Sequence, residues 1–77
     1  MSESIEMYLS SIVELREDEE TPVPLPHLAH DLTISSVSAN EMCRRLQEQG
    51  LVIYRPYKGV TLTRAGEERA RRVLRRR

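Results

Sequence analysis

SSVSANEMCRRLQEQG, Ser35 to Gly50, reads as a helix with one dry face and one face left for a partner. Ala39, Cys43 and Leu46 fall at i, i+4 and i+7 and make a single apolar stripe. Ser38, Asn40, Glu41, Arg44 and Arg45 fall on the other sides. A serine cap at Ser35 or Ser36 opens the helix, and Gly50 closes it in the left-handed conformation. Short polar side chains followed by two arginines suit a major groove, where hydrogen-bonding groups meet base edges and cations meet phosphate. The stretch is therefore expected to be the recognition helix, about residues 36–49, of a winged helix-turn-helix.

The residues before it fit that frame. Pro26 to Leu32 reads as a short helix with Leu28, Ala29 and Leu32 facing in, and Pro26 suits the first helical position. Thr33 and Ile34 make the turn between the two helices. Thr21 to Pro26, TPVPLP, must be extended, because each proline pushes its predecessor out of the helical region. Val23 is placed to add a short strand. Residues 3–18 read as the first helix, with Ile5, Tyr8, Leu9, Ile12 and Val13 on one face, Leu15 at its margin, and Ser2 or Ser4 as cap. The acidic run Glu17 to Glu20 sits at the wrong end for the helix dipole and is expected to be a solvated loop.

The residues after Gly50 complete it. Leu51–Tyr54 and Val60–Thr63 are apolar and β-branched, and a connection containing Pro56 and Gly59 makes them a hairpin, the wing, with Arg55, Tyr57 and Lys58 at or near its tip. Thr63 is the expected cap of a last helix with Ala70, Val73 and Leu74 inward and Arg69, Arg71, Arg72, Arg75, Arg76 and Arg77 near its end. The fold class is α+β, mainly α: a three-helix core, a β-hairpin wing and a C-terminal helix, forming one domain over residues 1–77.

Composition restricts the function. Seventy-seven residues leave little room for an enclosed catalytic pocket, and three tyrosines with no Phe or Trp make an aliphatic core. No enzyme is expected, since no nucleophile–base pair or Gly-rich phosphate loop stands out. Cys43, the lone cysteine, allows neither an intrachain disulfide nor a Cys-based zinc site and fits a reducing cytoplasm. No signal peptide or membrane span is read. The net charge of zero conceals a division. Residues 1–41 carry nine acids and one base, Arg16, a net −8; residues 42–77 carry eleven bases and three acids, a net +8. It is the distribution, not the total, that makes a binding field. By itself such sorting is common among solvated helix faces.

Three segments carry a resemblance. Glu6-Met7-Tyr8-Leu9, followed by Ile12 and Leu15, resembles the opening E-M-Y-L-x-x-I-x-x-L of the metal-dependent repressors of the diphtheria toxin repressor and manganese transport regulator type. The helix-turn-helix spacing from Leu28-Ala29 to Gly50-Leu51 resembles theirs, as does the wing through Tyr57-Lys58-Gly59 to Leu62-Thr63 and Gly66. The resemblance implies a transcriptional repressor that binds its operator as a dimer when iron(II) or manganese(II) is present. It also implies a second domain, outside these residues, with most metal ligands and the dimer interface. Met7 matches one of the family's ligand positions. A thioether alone is a poor ligand for a hard divalent ion, so no stable metal site and at most a weak homodimer are expected of this chain alone.

Ser36, Ser38, Asn40 and Glu41 are the candidates for base edges: asparagine pairs with adenine, and glutamate accepts from cytosine. The plain alternative is a capping box from Ser38 to Glu41, and Glu41 ranks lowest because it repels phosphate. Arg44, Arg45, Arg55 and Lys58 are the candidates for phosphate, the wing residues foremost; the alternative is solvated surface, with Arg44 and Arg45 paired to Glu41 and Glu48. His27 and His30, with Asp31, have a spacing that could hold a metal but more often marks plain surface. Cys43 reads as core. Sequence-specific binding of double-stranded DNA is the first functional reading. The rival is a winged helix that binds protein, served by the acidic first helix.

Overall fold

The computed structural model describes residues 5–75, with side chains up to Arg72. The order is α1 (Ile5–Leu15), α2 (Leu25–Leu32), α3 (Ser36–Glu48), β1 (Val52–Arg55), β2 (Gly59–Leu62) and α4 (Arg64–Arg75). This is the expected winged helix-turn-helix. Tyr8, Leu9 and Ile12 of α1, Leu28 of α2, Cys43 and Leu46 of α3, and Val52, Val60 and Leu62 of the hairpin form one buried cluster, closed by Ala70 of α4. Ser2 and Ser4 as caps, Val73 and Leu74 as inward residues, and Arg75 to Arg77 as a side-chain cluster all lie outside the described residues.

Helix α1 ends at Leu15, three residues before the expected end. The acidic run cannot sit on the negative end of the helix dipole. It turns instead around Asp18, whose carboxylate accepts from the Thr21 hydroxyl and from the backbone N–H groups of Glu20 and Thr21. Those bonds hold the Asp18 carboxyl below its ordinary pKa. Val23 then bridges to Val60. Helix α2 begins at Leu25, one residue before the expected Pro26: Pro24 takes the extended cap conformation, and Pro26 falls second in the first turn, where its missing N–H still costs nothing.

Both helices of the helix-turn-helix end in a left-handed residue. After α3 the N–H of Leu51 reaches the carbonyl of Leu46, and that of Gly50 reaches Gln47, with Gly50 at φ 76°. After α2 the N–H of Ile34 reaches Ala29, and that of Thr33 reaches His30. Here the left-handed residue is Thr33, at φ 56°. A β-branched residue is strained there, by about 1–2 kcal/mol. Thr33→Asn is therefore expected to raise stability by about 0.5–1 kcal/mol in urea unfolding, because asparagine tolerates this conformation. A loss of stability would show that the threonine is held by something other than the turn.

The strands sit one position away from the expected ones, β1 later and β2 earlier. The cause is capping. Leu51 gives its N–H to the α3 terminus and the Thr63 carbonyl accepts from Glu67 of α4, so this pair keeps only the bond from Thr63 N–H to the Leu51 carbonyl and the ladder starts at Val52. Thr63 is the cap of α4: its hydroxyl accepts from Gly66 N–H and donates to the carbonyl of Gly50. One threonine side chain thus ties the start of α4 to the end of α3. Gly59 belongs to the strand, paired with Arg55.

Candidate nucleic-acid interface

Ser35 is the cap of α3, its hydroxyl accepting from Ser38 N–H at 3.1 Å. The Ser35 hydroxyl in turn donates to Ser38 Oγ at 3.1 Å. The cap is thus Ser35, one of the two serines expected, one turn before the Ser38 of the alternative capping box. Ala39, Cys43 and Leu46 are fully buried, which fixes the orientation of the helix. Burial pushes the Cys43 thiol up to about 11, so it stays protonated and unreactive.

On the outer face of α3 Glu41, Arg44, Arg45 and Glu48 are exposed, and Ser36 and Ser38 are exposed in its first turn. Asn40 is not on that face. It precedes Cys43 by three residues and so lies beside the buried stripe. It is half-buried, and its Oδ1 is shut away from solvent with no partner among the described residues. Val37, which polarity-based reading passed over, is 67% exposed among the serines and Glu41.

The wing carries two more cations. The Lys58 N–H bonds to the Arg55 carbonyl and closes a tight turn with Pro56 second and Tyr57 third. Tyr57 has φ 71°, the conformation the third residue of such a turn requires, and its ring is fully exposed. Arg55 and Lys58 are exposed on either side of it. No ion pair among the described residues involves Arg44, Arg45, Arg55 or Lys58.

Other cations are spoken for. Arg16, the one base of the acidic half, makes a two-pronged contact with Glu67 of α4, at 2.5 and 3.1 Å. The hydrogen bonds to Glu67 hold its guanidinium pKa above the ordinary value. Arg69 lies 3.6 Å from Glu6. Part of the sequence's charge division is thus folded inward as α1–α4 pairing, a role not assigned to Arg16 from the sequence. What remains on α3 and the wing is four exposed cations, Arg44, Arg45, Arg55 and Lys58, against two exposed carboxylates, Glu41 and Glu48, with no ion pair for any of them among the described residues.

A family model described as "Iron dependent repressor, N-terminal DNA binding domain" matches residues 1–60, from α1 through the wing turn. The chain belongs to this family. The membership agrees with the resemblance carried by Glu6-Met7-Tyr8-Leu9 and the wing. Among curated proteins, this repressor-family domain is 38% identical over 74 residues to an uncharacterized HTH-type transcriptional regulator of Methanocaldococcus jannaschii. That match takes in 96% of the chain and 59% of the relative. Among solved structures, it superposes on a hypothetical protein of Sulfolobus solfataricus with a TM-score of 0.75 at 28% identity. There 88% of the chain covers 51% of that protein. The domain therefore spans between half and three-fifths of the proteins it matches.

The family is named for iron, which this domain could hold only through its own side chains. Among the described residues no group of three or more His, Cys, Asp or Glu side chains could hold a metal ion. His27 and His30 are exposed on α2, while Asp31 accepts a hydrogen bond from the Ser11 hydroxyl and so ties α2 to α1. Met7 is 49% exposed on α1. A soft thioether alone does not fit iron(II) or manganese(II). No helix of the described residues is long and apolar enough to cross a membrane.

Proposed function

We propose that the chain is the operator-reading part of a transcriptional repressor. In this reading α3 lies in the major groove and the wing, residues 54–60, rides the sugar–phosphate backbone. The observation that carries it is the outer face of α3 together with the wing turn: Arg44, Arg45, Arg55 and Lys58 are exposed and none has an acidic partner among the described residues. Ser36, Ser38 and Glu41 are placed to meet base edges, and the exposed Val37 offers an apolar contact to a thymine methyl group. Iron- or manganese-dependence and operator binding as a homodimer belong to this reading for a protein that carries the metal ligands and dimer interface elsewhere.

The test is fluorescence anisotropy of labelled duplex DNA titrated with this chain at 50 and 200 mM salt, with and without manganese(II). Four phosphate contacts give a logarithmic salt slope of about −3.6, an affinity loss of roughly 100-fold over that range. Binding with this slope and no response to manganese is expected. Absence of binding even at 50 mM salt would overturn the reading and favour a protein partner.

A further inference from the structure

The hairpin has two outer edges, and both are held at the same cross-strand pair. Val60 donates its N–H to Val23 at 3.0 Å and accepts from Val23 N–H at 2.9 Å. In an antiparallel ladder the N–H and C=O of one residue point to the same side. Both polar groups of Val60 therefore point away from β1. Its partner across the hairpin is Tyr54, whose N–H must then point away from β2. That N–H meets the Oε1 of Gln47, at 2.6 Å, in the last turn of α3.

We infer that Gln47 is a positioning residue: it sets the wing at a fixed angle to the recognition helix, so that Arg55 and Lys58 reach backbone while α3 reads bases. The inference rests on the proposed DNA-reading function and deepens it. Gln47 is exposed and, in sequence, resembles any solvated residue near a helix end. Yet its side chain satisfies an edge N–H that no strand pairs among the described residues. On the other edge Gly59 closes the hold, since a Cβ there would lie 2.2 Å from the carbonyl oxygen of Val23. The wing turn is thus held on one edge by a backbone bridge and on the other by one glutamine. Arg55 follows Tyr54 directly, so a change at the Tyr54 amide passes to the cation without a flexible link.

Two variants separate acceptor from shape. Gln47→Met keeps the length and loses the acceptor; Gln47→Glu keeps an acceptor oxygen. Amide hydrogen exchange of the free protein is the first readout. Exchange at Tyr54 is expected to rise about tenfold in Gln47→Met and to stay protected in Gln47→Glu, with the Leu9 and Leu46 amides unchanged in both. Duplex binding is the second. Gln47→Met is expected to weaken binding about fivefold and flatten the salt slope, and to do neither when Arg55 and Lys58 are already alanine. Unchanged exchange at Tyr54 would overturn the latch, and this arm decides even if the parent chain binds no DNA. Failure of the parent to bind would instead sink the DNA-reading proposal. Equal loss of affinity in both backgrounds would mean that Gln47 touches the DNA itself.

Discussion

Gly66→Ala is expected to destabilise the domain by about 3 kcal/mol or more, a large share of the stability a chain of this size has. Helix propensity predicts the opposite sign. Gly66 lies in the first turn of α4, where alanine should gain up to about 1 kcal/mol over glycine. Packing overrides it. A Cβ on Gly66 would lie 2.1 Å from the carbonyl oxygen of Leu51, 3.1 Å from its carbon and 3.4 Å from the Leu62 Cβ. These first two atoms are backbone and cannot swing aside. The Leu51 carbonyl is also held by the Thr63 N–H, and the Thr63 hydroxyl binds both Gly66 N–H and the Gly50 carbonyl. To admit one methyl group, α4 must lift away from the end of α3, and three hydrogen bonds loosen together. Urea unfolding with far-UV circular dichroism measures the change. A more stable Gly66→Ala would show that this junction yields, and the glycine would then need another explanation.

That junction also shows what the sequence could and could not tell. The Leu62-Thr63-x-x-Gly66 spelling was readable, and so was the cap at Thr63. The reason for the glycine was not, because it depends on Leu51, fifteen positions earlier, arriving at the same point. The apolar stripe of Ala39, Cys43 and Leu46 was legible because helical spacing alone put all three on the inward face. The strand positions were off by one because Leu51 and Thr63 carry apolar, strand-like character while their backbone groups serve helix caps.

The partner-facing residues were legible to a smaller degree. Polarity marks what can face water, not what does. Asn40 is polar and lies beside the stripe with its Oδ1 buried, whereas Val37 is apolar and faces out. Gln47 carried no signal at all, since its importance follows from the bridge between Val23 and Val60. The charge division was visible as a count. Its division of labour was not, because pairing of Arg16 with Glu67 and of Arg69 with Glu6 needs α1 and α4 side by side.

That division of labour makes the wing the decisive place to remove charge. Arg55→Ala with Lys58→Ala is expected to reduce the salt slope of duplex binding by about 1.8 and to weaken binding roughly 60-fold at 0.1 M salt, the loss shrinking as salt rises toward 1 M. Folding should be nearly untouched, since both side chains are exposed and neither has an ion-pair partner among the described residues. The control is Arg71→Ala with Arg72→Ala, which removes the same charge from the exposed face of α4. If only the general field attracted DNA, both pairs would lower affinity alike through long-range attraction, which 0.15 M salt screens within about 8 Å. Contact predicts a difference: a cation seated on phosphate releases a counterion and changes the slope, whereas one standing off it does not. Anisotropy titrations of the three proteins across a salt series distinguish the two. A slope unchanged by loss of Arg55 and Lys58 would remove the wing from the interface and leave α3 to bind alone.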